Sequence, residues 1–552
     1  MQKQIGNVIL DYTYYKGRDL YSDGEIEDFL LHIVKTEKER EVLYTSSQWP
    51  VLYHLSDIRE NIIEWYPFAS DSSVLEIGSG CGALTGILSR KAGHVTCIEL
   101  SEKRSLINAY RNKGSSNIKI LLGNFQDIEI DEKYDYVTLI GVWEYSGLYV
   151  EHPTPYLKML EIVKSYLKKD GKIIIAIENK MGLKYWNGAS EDHTGKLYSG
   201  LNDYTDCPKL RTFSKPEIEC ILKEAGISEY TFYYPMPDYK LPETIYSDNI
   251  LPMPGWERNY GKDYDKCRVY NFNDAVMSDQ VCQDRMFPYF ANSFLVIAGQ
   301  REGQNYFERY NRQRKEQFRI KTEIIKRGKE RLVKKSALNP LAQAHILHLK
   351  SNEEKWKHAL SNIKHVEGYL EDGDYICPYI EGEDLETVFY KYRNDIELFA
   401  EKYSYYIQNY FMPSKEEVVP FKSSENFVTV FGEQYPHDQK SMECTNVDMI
   451  FSNVKVGEDG QLYCYDYEWI FDFPIPYEYV LWRGAKILYE KYMAYLKRMI
   501  SKQEFLVKVG ISQENIQIYE AMERNFGRYV TENQKYLHNY RKSSIMQAIT
   551  IT

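Results

Sequence analysis

The sequence predicts an α/β domain with a parallel sheet covered on both faces, followed by a second, α+β domain. Three observations carry this. Between residues 74 and 178, short apolar runs alternate with amphipathic segments. The first of those runs closes on glycines at every second position, Gly78, Gly80 and Gly82. A length of 552 residues also exceeds what one core organises, so about two to four domains are expected.

The elements follow in order. Asp11–Gly24 is polar, aromatic and rich in turn residues, and a helix-like run covers Glu25–Val34. Ser56 is placed to cap a helix over Ser56–Trp65, with Arg59 and Asn61 as exposed candidates for ligand contact. Strands are expected at Val74–Gly78, His94–Leu100, Ile118–Asn124, Tyr134–Gly141 and Lys172–Glu178. Helices fill the intervals at Ala83–Ala92, Glu102–Asn112 and Pro155–Leu167, and another covers Lys215–Ala225. Two further strands, Glu229–Pro235 and Ser293–Ala298, complete seven. Buried parallel strands with right-handed crossovers place a ligand at the carboxyl ends of the sheet, where strand order reverses.

Chemistry-bearing residues fall at those ends. Glycines in the first turn let backbone approach a ligand closely. Glu99 closes the second strand, 17 residues past Gly82, where a carboxylate can accept hydrogen bonds from both hydroxyls of a ribose. Asn124 and Phe125 close the third and suit the edge and face of an adenine, and Gly141 closes the fourth. The spacing G-x-G-x-G with Glu76 inside the strand resembles motif I of class I S-adenosylmethionine (SAM) methyltransferases. A dinucleotide oxidoreductase is the rival, although its usual G-x-G-x-x-G spacing is not met. The resemblance implies a Rossmann-like seven-stranded sheet and SAM held by Glu76, Gly78, Gly80, Gly82, Glu99, Asn124, Phe125 and Gly141.

The loop Glu178–Gly195 is rich in charge and glycine and follows the fifth strand, a position that is usually functional. With Leu55–Asn61 and Tyr234–Tyr239 it resembles a bacterial family from surface-polysaccharide gene clusters. That family includes bifunctional methyltransferase–kinases that cap lipopolysaccharide O-antigen chains, and the resemblance covers roughly residues 10–300. A sugar hydroxyl as methyl acceptor needs a general base, and His193 beside Asp192 is the candidate. A phosphate needs cations instead; Lys180, Lys184 and Arg211 are available, with Arg59 as a further contact.

The polar break Gln300–Gln304 marks the expected boundary, giving domains at 1–300 and 305–510 with a helical extension at 511–552. Arg331–Lys335 resembles the third strand of a protein-kinase N-lobe, where a lysine grips ATP phosphates. Lys334 fits the apolar-x-Lys pattern best and Lys335 is the reserve. Tyr375–Leu385 looks like an inter-lobe hinge. Asp448 and Asn453 stand five apart, the spacing of a kinase catalytic loop, and Asp466 follows thirteen residues later at a strand end. This resembles the choline-kinase and aminoglycoside-phosphotransferase branch. It implies Asp448 as base, Asn453 and Asp466 on Mg²⁺, and ATP as second cofactor, with Glu468 assisting the metal. Three features depart from that pattern. No glycine-rich loop lies between Phe307 and Ile325, Asn446 replaces a histidine, and Gln343 stands where a glutamate would pair the lysine. Tyr519, Met522, Phe526, Tyr529, Asn533, Tyr536 and Tyr540 recur at three–four spacing, either as packing on the second domain or as a docking seam.

Composition bounds the rest. A net charge of −11 argues against a broad nucleic-acid surface. Nine cysteines without a C-x-x-C pair read as free thiols. No apolar run reaches the ~20 residues of a membrane span, and the start lacks a signal-peptide core. A cytoplasmic location follows, with peripheral attachment at the inner membrane face an option. The expected function is phosphorylation and methylation of a cell-surface polysaccharide or sugar-phosphate precursor. The alternatives are a methyltransferase with an inactive kinase-like binding module, or a scaffold recruiting a glycosyltransferase or a second copy through its C-terminal helices.

Overall fold

The computed structural model describes residues 1–19, 24–256, 268–300, 303–414, 417–531 and 549–550. Short Val-, Ile- and Leu-rich runs leave no polar face, so they are stable only with helices on both sides. They form β3 (Ser73–Ile77), β4 (His94–Glu99), β5 (Ile118–Leu122), β6 (Tyr134–Ile140) and β7 (Leu167–Glu178). All pair in parallel, in the spatial order β5-β4-β3-β6-β7. Order therefore reverses beside β3, and the crevice at its carboxyl end opens there. The sheet continues with β10 (Ser293–Ala298), which lies antiparallel between β7 and β8 (Tyr230–Met236). Those seven strands have the class I SAM methyltransferase arrangement.

Two short pieces escape the sequence pattern. A hairpin of β1 (Gln2–Ile5) and β2 (Val8–Asp11) adds to the open edge of β5. A four-residue strand, β9 (Thr244–Ser247), pairs with β8. The expected helix at Ser56–Trp65 is a 3₁₀ turn, Asp57–Glu60, running into the helical turn Asn61–Glu64. Ser56 does cap it, accepting from the Ile58 amide.

The polar break near residue 300 does not interrupt the sheet. The free edge of β9 is taken by β11 (Asn305–Tyr310), antiparallel, with Phe307 opposite Tyr246 and Arg309 opposite Thr244. The ladder then runs through β12 (Ile320–Arg327), β13 (Glu330–Ala337), β15 (Asp374–Pro378) and β14 (Tyr369–Glu371), giving fifteen strands. An open edge of unpaired amides favours such an addition. Side chains reinforce it: Arg312 Nε donates to Asn61 Oδ1 at 2.5 Å, and Tyr495 Oη donates to Asp279 Oδ2 at 2.8 Å.

Beyond this, helix Gln343–Trp356 packs on β13 and β15, and a mostly helical body follows. Its core is aromatic, with Trp356, Trp482, Phe389, Phe399 and Tyr403 fully or nearly fully buried. The last described helix, Ile516–Val530, buries Tyr519, Met522, Phe526 and Val530 in that body. Asn533, Tyr536 and Tyr540 of the expected seam lie outside the described residues. No described helix is long and apolar enough to cross a membrane.

Candidate functional site

The turn after β3 sets the floor of a cavity of about 760 Å³. Gly78 and Gly80 have positive φ, +70° and +53°, and the two differ in what surrounds them. A Cβ on Gly78 would stand 2.5 Å from Val142 Cγ2, whereas one on Gly80 would meet nothing within 4 Å. Gly78 is bare because the chain packs there; Gly80 is bare toward the cavity. Gly80 donates its amide to Glu99 Oε2 at 2.7 Å, and the Ser101 amide donates to Glu99 Oε1 at 3.0 Å. Burial pushes the Glu99 carboxyl up, while those amides oppose the shift.

Glu99, Asn124, Phe125 and Gly141 all line the cavity, as do Gly78 and Gly80. Glu76 and Gly82 do not. Glu76 is buried beneath the turn and accepts from Thr85 Oγ1 at 2.6 Å, tying β3 to the following helix. Burial pushes its carboxyl up to about 7. Gly82 is close-packed: a Cβ there would lie 2.3 Å from Asn108 Oδ1. Both belong to the scaffold: Glu76 because its side chain leaves the strand away from the turn's mouth, and Gly82 because it packs against Asn108.

The other end of the cavity is built by the loop after β7. His193 is there, but its partner is not Asp192. Its Nδ1 lies 3.0 Å from Tyr145 Oη and its Nε2 lies 3.2 Å from Glu178 Oε2 and 3.8 Å from Glu144 Oε1. Burial works against the charged ring, yet Glu178 and Glu144 outweigh it and raise His193 to about 9. Against burial, Lys240 and His193 hold Glu178 down at about 2. Burial pushes Glu144 up to about 8. Asp192 belongs to a different cluster, accepting from Lys184 Nζ at 2.8 Å and Lys240 Nζ at 3.0 Å. Lys184 also reaches Asp238 Oδ2 at 3.1 Å.

Four expected ligand contacts are placed elsewhere. Arg59 is 4% exposed, bonds the Lys240 carbonyl at 3.1 Å and stacks over Tyr53; Asn61 is buried too. The 3₁₀ turn carries Arg59 inward, and Asn61 opens the helical turn that follows it. Lys180 and Arg211 share Asp203 and Glu217, outside the cavity lining. Sequence reasoning missed Glu144, Glu178, Tyr145 and Lys240 as site residues. The available signal was a glutamate just past the apolar part of β6 and at the end of β7, both at ligand-facing positions. The helix Trp49–Leu55 was missed as well; Trp49, Tyr53 and His54 wall the cavity, and Trp49 stacks on Tyr53 at 5.4 Å.

Residues 68–226 match the family model described as a methyltransferase domain. The chain therefore carries a methyltransferase domain. Among curated relatives, an rRNA adenine N-6-methyltransferase of Bacillus licheniformis is 32% identical over 109 residues, 20% of this chain and 36% of that protein. A ubiquinone biosynthesis O-methyltransferase of Rickettsia bellii is 27% identical over 166 residues, 29% of this chain and 66% of that one. The chain thus spans less than two thirds of the length of these relatives. Among solved structures, the N-methyltransferase NodS of Bradyrhizobium japonicum with S-adenosyl-L-homocysteine aligns at 20% identity over 26% of this chain and 73% of that one, TM-score 0.21.

The methyltransferase-domain cavity fits SAM on its own terms. A buried carboxylate stands at the end of β4, a bare glycine amide faces it, and Ile98, Phe125 and Val142 supply apolar walls.

A second cavity, about 680 Å³, lies between β9 and β13 and the C-terminal body. Lys335, Asp448, Asn453 and Asp466 line it; Lys334 does not. Lys335 Nζ bonds Asp466 Oδ1 at 2.8 Å, whereas Lys334 faces Asp374 at 3.2 Å and Glu323 at 3.5 Å. Adjacent residues of a strand point to opposite faces, so one residue of register decides which lysine faces the cavity. Asn453 donates to the Asp448 carbonyl at 2.9 Å, and Asn446 donates to the Asp466 carbonyl at 3.0 Å. Asp448 is ion-paired with Arg483. Glu468 is engaged by Arg314 and by His345 Nε2 at 2.8 Å.

Proposed function

We propose that the chain is a SAM-dependent methyltransferase acting on a saccharide hydroxyl. The observation that carries this is the pairing of Glu99 with the bare Gly80 amide at one end of a cavity whose other end holds acid–base side chains. Glu99 takes the ribose hydroxyls, and Asn124 and Phe125 take the adenine. The sulfonium already activates the methyl group, so aligning the acceptor in line with the S–CH₃ bond supplies most of the rate. The O–CH₃ bond forms as the S–CH₃ bond breaks, sulfur keeps the electron pair, and the hydroxyl proton passes to Glu144. Aromatic side chains Trp49 and Tyr53 at the wall suit a sugar ring, which is apolar on its faces and polar at its edge. A hydroxyl fits better than a phosphate dianion, because Lys184 and Lys240 are both engaged by carboxylates. Formation of S-adenosyl-L-homocysteine with SAM and a surface-polysaccharide acceptor tests the reading; a full panel of glycan acceptors that yields none refutes it.

A second activity is favoured by one observation, the Lys335–Asp466 pair in a cavity shared with Asp448 and Asn453. We propose that this half, which resembles choline and aminoglycoside kinases in its loop spacing, binds Mg²⁺-ATP and phosphorylates the same polysaccharide. Lys335 would steady phosphates, Asn453 and Asp466 would hold the metal, and Asp448 would take the hydroxyl proton once released from Arg483. The thermal midpoint should rise with millimolar Mg²⁺-ATP in the native protein and not in Asp466→Ala. An unchanged midpoint in both identifies an inactive lobe that serves binding alone.

A further inference from the structure

We propose that Glu144, Glu178 and His193 form a binding site for one first-row divalent cation at the acceptor end of the methyltransferase cavity. Among the described residues this is the one group of three His, Cys, Asp or Glu side chains whose ligand atoms all lie within 4.8 Å of one another. All three line or close the cavity: Glu144 and His193 are in its wall, and Glu178 Oε2 sits 3.2 Å behind the imidazole Nε2.

Two independent features point to a ligand. The first is Glu144. It is wholly buried, and neither carboxylate oxygen has a hydrogen-bond partner. A buried acceptor left unsatisfied costs about 1–3 kcal/mol, more when charged, and a cation would remove that cost. The second is the orientation of His193. Tyr145 Oη holds Nδ1 at 3.0 Å, which turns Nε2 toward the two carboxylates. An imidazole whose far nitrogen is held by an oxygen, with the near one facing acidic ligands, is the usual arrangement around a metal. Lys240 acts in the same sense on Glu178: it takes Oε1 and leaves Oε2 facing the cluster.

The donor set decides the class of ion. One imidazole with two carboxylates suits Mn²⁺, Fe²⁺ or Zn²⁺ better than Mg²⁺ or Ca²⁺, which take oxygen ligands almost exclusively. Each residue offers one atom, so a Glu144 oxygen stays available to the acceptor hydroxyl. The ion would hold that hydroxyl and polarise its O–H bond. His193 is then a ligand rather than a base. This role rests on the methyltransferase reading above, whereas binding of the ion does not.

The full chain, stripped with EDTA and dialysed, is titrated calorimetrically with MnCl₂ and ZnCl₂, and S-adenosyl-L-homocysteine is titrated into the same preparations. The Asp466→Ala background removes the second cavity as a competing site. One equivalent should bind, and Glu144→Gln and His193→Gln should each weaken it at least 100-fold. Tyr145→Phe, which keeps all three ligands, should weaken it about 10-fold. Circular dichroism and the thermal midpoint confirm that each variant folds. No binding at 1 mM, or binding unaltered by Glu144→Gln, overturns the proposal. S-adenosyl-L-homocysteine binding without cation binding refutes the metal site alone. Cation binding without S-adenosyl-L-homocysteine binding refutes the methyltransferase reading and leaves the site standing.

Discussion

Replacing Glu99 tests the cofactor end of the first cavity most directly. Its carboxylate is 6% exposed and already accepts the Gly80 and Ser101 amides, so its position is fixed before any ligand arrives. Bound SAM or S-adenosyl-L-homocysteine would present two ribose hydroxyls to the remaining lone pairs. Hydrogen bonds to a charged acceptor are worth about 1.5–3 kcal/mol each. Glu99→Ala should therefore cost about 3–6 kcal/mol of binding, at least roughly 200-fold in Kd. It also strands two amides, so Glu99→Gln is the cleaner probe. It keeps an acceptor and loses the charge, which roughly halves each bond and predicts a loss of about 10- to 150-fold. Calorimetric titration with S-adenosyl-L-homocysteine gives the number, and the thermal midpoint reports folding. A folded Glu99→Ala protein that binds within threefold of the native one would refute the placement of the ribose at the end of β4.

Further expectations come from neighbouring geometry. Gly80→Ala should cost only about 1–2 kcal/mol of stability, since the left-handed conformation is its main penalty, yet weaken S-adenosyl-L-homocysteine more than 10-fold. Gly82→Ala, with its Cβ 2.3 Å from Asn108, should instead show its loss in urea denaturation. Lys335→Met leaves Asp466 without its buried cation and should cost about 3–5 kcal/mol. Lys334→Met, at a partly exposed pair, should cost under about 1 kcal/mol; equal losses in denaturant titrations would contradict the assigned strand faces. Acid should remove two contributions to stability in turn, against the opposite drift of Glu76, Glu144 and His193, whose raised pKa values let the folded chain take protons first. Buried His54 is held well below 6.5, first by burial and then by Arg104, Arg59 and Arg111. Below pH 6.5 the unfolded chain takes a proton at this ring that the folded one refuses, so the His54 contribution falls by up to ~1.4 kcal/mol per pH unit. Despite burial, Arg314, His345 and Lys335 hold Glu468 far below 4.5, so its contribution is present above that pH and drains away beneath it. Relative to the native protein, His54→Asn should gain stability as pH falls from 6.5 to 5 and leave the loss at Glu468 unchanged; a native-minus-variant difference that stays flat over that range would rule out the His54 contribution.

The parallel core was legible because fully buried strands write themselves as unbroken apolar runs, and Glu99, Asn124 and Gly141 stand where those runs stop. Less was legible where one residue of register or one turn of backbone decides orientation. Lys334 and Lys335 are chemically identical and differ only in strand face. Arg59 and Asn61 look exposed on one ideal helix, but the 3₁₀ turn over Asp57–Glu60 buries Arg59, and Asn61 starts the next helical turn already buried. The strands β1, β2 and β9, four residues each, are too short to show a period and gain their stability from the edges they join. Glu144 stands three residues past Gly141 in the sequence, but a buried carboxylate with no hydrogen-bond partner is a property of three dimensions.

The hydrogen-bonded seam between β9 and β11 has a consequence for traffic. A sheet that runs unbroken from one cavity to the other provides no hinge, so neither cavity can swing toward the other. Their mouths stay at a fixed spacing. Under the two proposed activities, a molecule altered in both must let go of one and travel to the next. A short acceptor makes that journey through bulk water and exchanges with its neighbours on the way. A long one can stay tethered by its far end while its tip changes stations.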